Sequence, residues 1–400
     1  MTAQDYKAPE SVGRLQQRSL VAAIVGIVLC VVGAIHSPAQ FFHSYLFAFL
    51  LILGASLGSL GLLMLHHLTS GHWGIMIRRV LEAATRTLVL VAILFIPIVV
   101  GMKYIYGAWL NAPASGESSI QGFQKSYLTE QGFILRAIVY FAVWLTLVFL
   151  LNKWSRQQDV DQENRLLRRR LKLLSGPGIV LYVFGLGFAS IDWAMSLSPH
   201  WFSTIYGFIF VAGQLITAMG LAIIILAMLS RTEPIADVVK PKIFGDLGGL
   251  LLAFLMLWAY FSFSQLLIIW SGNQPDEIPF FEKRLHGQFA YVSVFILIFH
   301  FFVPFFLLLS RDIKRNYRQL PKVAMWLIFM RIVDLYWYTR PEFSLNGVPI
   351  TSAIPNISDF GAVLALGGLW LHVFAGQLKR MPLLPLGEPK LAEVVAHDEH

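Results

Sequence analysis

The chain has 400 residues, of which 56% are hydrophobic, 14% aromatic and only 14% charged, and its formal net charge is +8. A soluble domain usually carries about 25% charged residues. The deficit excludes a water-soluble globule and points to an all-α polytopic membrane protein, because a bilayer-crossing helix needs about 20 mostly apolar residues and such runs recur along this chain. The one cysteine, Cys30, excludes an intrachain disulfide. It also excludes cysteine-ligated zinc and iron–sulfur sites, which need two or more thiolates. The absence of C-x-x-C-H excludes covalent c-type haem.

Apolar runs between polar breaks predict ten spans, at about 19–35, 43–66, 84–106, 132–151, 177–197, 202–229, 243–270, 288–310, 322–339 and 357–377. Residues 1–18 form a polar N-terminal segment, 19–377 the membrane domain and 378–400 a C-terminal tail. The first run is longer than the core of a signal peptide, usually about 7–15 residues, so it is expected to stay as a helix. The fifth and sixth spans are joined by "SLSPHW". Ser198 is placed to cap the sixth span and Pro199 suits its first turn, so the two form a hairpin with almost no loop.

Lys and Arg are sorted between the two sides. Of 31, 23 fall in the segments on the N-terminal side and four, Lys125, Lys283, Arg284 and Arg340, in the opposite loops. The positive-inside rule then makes both termini cytoplasmic. The run "RLLRRRLK" (165–172) is on this reading an inside loop, not a nucleic-acid site.

Ionisable groups inside a membrane are costly and are functional candidates by default. Those expected in the outer half are Lys103, Arg136, Asp192, His200, Gln265, His286, Gln288, Asp334 and Asp359. Arg331 and Asp334, three apart on the ninth span, share a helix face and can neutralise each other. Lys103 and Arg136 can also snorkel to the surface. His300, mid-span in the eighth helix, is either a packed core histidine or part of a path. The inner half holds His66, His67, His72, Glu82, Arg86, Asp246 and His372. Glu82 and Arg86, four apart, read as a surface ion pair; with His66 and Asp246 they can also outline an inner proton half-channel. His286 and His300 are fourteen apart, but a di-haem centre needs a matching pair on a facing helix, and no span supplies one.

The string "FASIDWAMSLSPHWFSTIYGFIF" (188–210) resembles the integral membrane subunits of alternative complex III, members of the NrfD/PsrC-like family of quinone-interacting proteins. The stretch "RIVDLYWYTRPEF" (331–343) is similar to that family too. The likeness is nearest to the smaller, ActF-type, of two homologous ten-helix subunits. It implies two four-helix bundles, about 43–197 and 202–339, flanked by the first and last helices. It implies a bacterial inner-membrane location in a respiratory or photosynthetic complex that oxidises a quinol such as menaquinol. Partners implied are a sister ten-helix subunit, a periplasmic iron–sulfur subunit, multi-haem c-type cytochromes and lipids, so haem and iron–sulfur clusters belong to other subunits.

The resemblance carries the quinol-side base to Asp192, with His200 beside it. Quinol oxidation releases two protons, and a base must stand within hydrogen-bond reach of them. A carboxylate beneath the outer interface, beside a histidine that titrates near neutrality, has the required chemistry. A purely structural subunit of the same complex remains an alternative. So does a secondary transporter, which would place its site at midplane on Gly/Pro-broken helices.

Overall fold

The structure is a computed structural model that describes residues 6–112, 122–162, 164–233, 235–345, 347–388 and 391. Its long helices are α1 (Glu10–His36), α2 (Pro38–Thr69), α3 (His72–Val100), α4 (Glu130–Val160), α5 (Arg165–Trp193), α6 (Tyr206–Leu229), α7 (Pro241–Gly272), α8 (Gly287–Leu309), α9 (Leu320–Thr339) and α10 (Ile357–Leu378). Strands are limited, among the described residues, to the two-residue pair β1 (Ser344–Leu345) and β2 (Val348–Pro349). The chain is therefore an all-α polytopic membrane protein.

Nine of these helices are long and apolar enough to cross a membrane. The exception is α9, whose 20 residues include Lys322, Arg331 and Asp334. At 1.5 Å per residue it is still about 30 Å long, the thickness of a hydrocarbon core, and it packs against α6. The position of the termini makes α9 the tenth crossing. The Leu383 N–H donates to the Tyr6 carbonyl at 2.9 Å, so both ends of the chain lie on one face. Ends on one face require an even number of crossings. We call this side the terminal face and the other the far face.

Helices α1 and α10 run antiparallel in close contact because small residues line both. Ser19, Ala23, Gly26, Cys30 and Gly33 are the buried stripe of α1. A Cβ on Gly26 would lie 2.1 Å from the Ala365 nitrogen, and one on Gly368 would lie 2.6 Å from that of Ala23. Such stripes let membrane helices approach backbone to backbone, gaining dispersion where hydrophobic drive is absent. The centre of the fold is the pair α2 and α6, with 94% and 83% of their apolar windows buried. Gly58 makes that contact possible, since a Cβ there would meet the Gln214 carbonyl oxygen at 2.1 Å. Around this pair, α2 touches α3, α5 and α10, while α6 touches α5, α7 and α9.

Several boundaries differ from the sequence expectation. The third span begins at His72 rather than about 84, so Arg78, Arg79 and Glu82 lie within α3. The stretch 165–172 forms the first turns of α5 and is not a loop. Ser198 does not cap α6, which starts at Tyr206; its hydroxyl donates to Glu342 instead. The tail folds back as far as Glu388, whose carboxylate pairs with Arg78; residues 392–400 lie outside the described residues.

Candidate functional site

Three polar clusters are built where helices meet. The first lies near the far-face end of α4 and α5. Asp192 is fully buried, and its carboxylate is bidentate to Arg136: Nε donates to both oxygens at 3.1 and 3.0 Å, and Nη2 to Oδ1 at 2.8 Å. The Tyr140 hydroxyl donates to Oδ2 at 2.8 Å. The Arg136 guanidinium lies 3.8 Å above the Tyr127 ring. Sequence named Asp192 and Arg136 separately; the fold makes them one unit. His200 is exposed in the turn after α5, and no hydrogen bond links it to Asp192. The expected relay between these two residues is absent from the described geometry.

The turn 194–205 is anchored by other contacts. The Trp201 ring stacks on Phe280 at 3.9 Å. Ser198 donates to Glu342, which also accepts from Lys283 at 2.7 Å and from Arg284 at 2.6 Å. Arg284 is buried, donates further to the carbonyls of Phe280 and Tyr338, and sits 3.6 Å over the Phe280 ring. Burial alone would push the Glu342 carboxyl up, but Arg284 and Lys283 outweigh it and hold the carboxyl below its usual value. Sequence reading placed Arg284 among plain loop cations; its burial depends on a carboxylate 58 residues away.

The second cluster lies inside the bundle formed by α6 to α9. Arg331 and Asp334 form a buried ion pair. His300 is fully buried, and its ring stacks on Trp258 at 4.1 Å. Around His300 the helix widens to a π-turn, Leu297–Phe302. Pro304 follows at the position that would bond the His300 carbonyl; it has no N–H to give and its ring crowds that carbonyl, which accounts for the widening. The Trp258 indole N–H lies beside the Asp334 carboxylate. Both polar atoms of Gln265, both ring nitrogens of His300, Nε of Arg331 and Oδ1 of Asp334 are buried without a protein hydrogen-bond partner. Gln265, His300, Arg331 and Asp334, all named from sequence, thus occur on three adjacent helices.

The third cluster is on the terminal face. Glu82 is fully buried and accepts from Arg78 at 3.0 Å, Arg79 at 2.6 Å and the Ser155 hydroxyl at 2.5 Å. Arg86 is farther, at 3.7 Å, and donates to Asn152. The expectation of a surface Glu82–Arg86 pair is therefore corrected: the chief partners are Arg78 and Arg79, and the network is interior. Arg79 also pairs with Asp159, and Arg78 with Glu388. The three arginines and three carboxylates balance, as buried charge requires. Sequence reading missed Arg78 and Arg79 because it began the third span after them; Glu82 on the same helix, Asp159 of α4 and Glu388 of the tail neutralise them.

The remaining candidates stand apart. Lys103 is exposed, with its ammonium 4.9 Å from the Tyr104 ring centre. Asp359 closes a capping box with Asn356 and accepts from the Ser44 hydroxyl at 2.5 Å. Exposed His286 bonds the Glu282 carbonyl, and Gln288 accepts from the Ala353 N–H. His66 packs edge-on to Trp73 and lies beside His67, while His72 begins α3. His372 bonds the Gln16 carbonyl, and Asp246 is exposed near the start of α7. Among the described residues, no three His, Cys, Asp or Glu side chains group closely enough to hold a metal ion. The chain matches no protein-family model and no curated protein.

Proposed function

We propose that this chain is a membrane subunit of a quinol-oxidising complex of the alternative complex III type, and that its own contribution is proton handling inside the α6–α9 bundle. The observation that supports this best is the second cluster. A histidine, His300, and a carboxylate, Asp334, both residue types common in membrane proton relays, lie on either side of Trp258, and the cluster holds six buried polar atoms not committed to protein partners. A relay needs groups free to change partners. Asp192 is less suited to that task, because Arg136 and Tyr140 already occupy both its oxygens. On this reading Asp192 holds the far ends of α4 and α5, and Gln265, His300 and Asp334 are the groups that exchange protons. The cytoplasmic placement of the termini, by the cation bias, belongs to the same proposal.

The test is the proton-to-electron ratio of the purified complex during quinol oxidation. Asp334→Asn should lower proton release, by about 10²–10⁴-fold in rate where the carboxylate is the only base. His300→Gln, which removes no charge partner from Arg331, should lower it as well. Normal turnover and a normal ratio in both assembled variants would sink the proposal.

A second reading, a purely structural subunit, is favoured by one observation: the Asp192–Arg136 unit is saturated with hydrogen bonds. In that case both variants change stability and leave proton release untouched.

A further inference from the structure

On the terminal face, the end of α4 and the start of α5 enclose a cavity of about 600 Å3, lined by Arg156, Val160, Asp161, Asn164, Leu167 and Arg170. Its charge is unbalanced. Seven Lys and Arg fall between Lys153 and Lys172, against three acids. Of those acids, Asp159 is engaged by Arg79 and Glu163 lies outside the described residues; the lining itself sets Arg156 and Arg170 against one carboxylate, Asp161, which accepts from Asn164 at 2.8 Å and keeps its charge. Neither Arg156 nor Arg170 has an ion-pair partner among the described residues. Arg156 also stands within electrostatic reach of Arg86.

An apolar track leads away from this cationic mouth. Leu166, Leu173 and Val180 are seven apart on α5, on one helical stripe, and all are exposed. Val160 and Phe149 of the neighbouring α4 are exposed as well. A cationic cavity at the end of membrane helices, continued by an exposed aliphatic stripe toward their middle, has the profile of one molecule: a charged head with hydrocarbon tails.

We infer that the α4–α5 cavity is a site for an anionic phospholipid, its phosphate held between Arg156 and Arg170 and its acyl chains lying along Leu166, Leu173 and Val180. Basic pockets between membrane helices bind such headgroups, and each cation near an anionic surface adds about 1 kcal/mol, a factor of about five in affinity. Asn164 supplies a neutral amide for the glycerol or phosphate oxygens. A lipid here fastens α4 to α5 at the end where their connecting segment is most charged. This inference does not depend on the proposed redox role.

The full chain, purified in detergent with the subunits that accompany it, is titrated with phosphatidylglycerol, phosphatidylcholine or inorganic phosphate. Bound lipid is counted by native mass spectrometry and stabilisation followed by thermal unfolding. Phosphatidylglycerol should bind saturably, near one per chain, and phosphatidylcholine and phosphate should not. The double variant Arg156→Gln/Arg170→Gln, both side chains exposed and outside the buried networks, should bind phosphatidylglycerol about 30-fold more weakly. Arg315→Gln/Arg318→Gln removes the same charge from another loop of the terminal face and should leave binding unchanged. Equal losses in the two double variants would show a diffuse charge effect and overturn the site. So would equal binding of phosphatidylcholine, or competition by millimolar inorganic phosphate, which would mark an anion site without lipid selectivity.

Discussion

A Cβ at Gly213 of α6 would lie 2.3 Å from the guanidinium carbon of Arg331 on α9, so the arginine occupies the volume that any other residue at 213 would need. The buried charge pair with Asp334 is seated in a notch cut into the neighbouring helix. Gly213→Ala should push the guanidinium aside and destabilise the protein by about 1–3 kcal/mol, the usual effect of overpacking. Gly249→Ala on α7 is the control, because nothing lies within 4 Å of its Cβ position. Thermal unfolding in detergent should separate the two; equal midpoints would mean that the notch is not needed.

Glu342→Gln should be among the most damaging single changes at the far face. It leaves Arg284 buried beside a neutral amide, and breaking a buried pair in this way costs about 3–5 kcal/mol. The native protein should show the matching pH dependence. The folded carboxyl titrates below its ordinary value of 4.5, so its stabilisation is complete above that value. It fades as pH falls below 4.5 and is gone once the pH passes the folded value. Melting curves of wild type and variant should draw together as pH falls below 4.5. Parallel curves across that range would disprove the assignment.

Asp192→Asn should destabilise the α4–α5 contact, while Arg136→Gln/Asp192→Asn should cost less than Asp192→Asn alone, since the double variant leaves no unpaired charge. His200→Ala should change neither stability nor turnover, because His200 is exposed and not bonded to Asp192. Loss of activity in His200→Ala at normal stability would restore the Asp192–His200 relay as a working unit.

The tail should detach when Gly387 is replaced. A Cβ there would meet the Gln158 carbonyl oxygen at 2.0 Å, and the Gly387 carbonyl accepts from Gln158 at 2.9 Å. Gly387→Val should therefore expose the segment after Lys379 to protease and release Glu388 from Arg78. Digestion of wild type and variant at equal rates would argue against the docked tail.

Much of the fold is legible because a bilayer crossing writes itself as a long apolar run. The helices centred on 43–66, 202–229 and 357–377 follow directly from that signal. The signal fails where charge enters a helix and is neutralised from elsewhere. Arg78 and Arg79 share the local carboxylate Glu82, but one carboxylate does not balance two arginines, and no local pattern announces the further partners Asp159 and Glu388, 80 and 310 residues away. Arg165–Lys172 looks like a loop because its cations interrupt the apolar run, although they stay exposed and Asn164 caps a helix there. In the sites, pairs within one helix, such as Arg331 and Asp334, are visible as spacing. Pairs across helices are not, so Arg136 and Asp192 appear in sequence only as two isolated oddities.

The close union of α1 and α10 also sets an order of events during synthesis. The first helix to enter the membrane is completed by the last, and about 320 residues separate His36 from Ile357. At a synthesis rate of about 5–20 residues per second, the stripe of Ser19, Ala23, Gly26 and Gly33 waits roughly 15–65 s for its partner. For that interval α1 keeps its contact with α2. A ribosome that stalls before α10 emerges leaves a nine-helix intermediate whose small-residue stripe on α1 is uncovered to lipid.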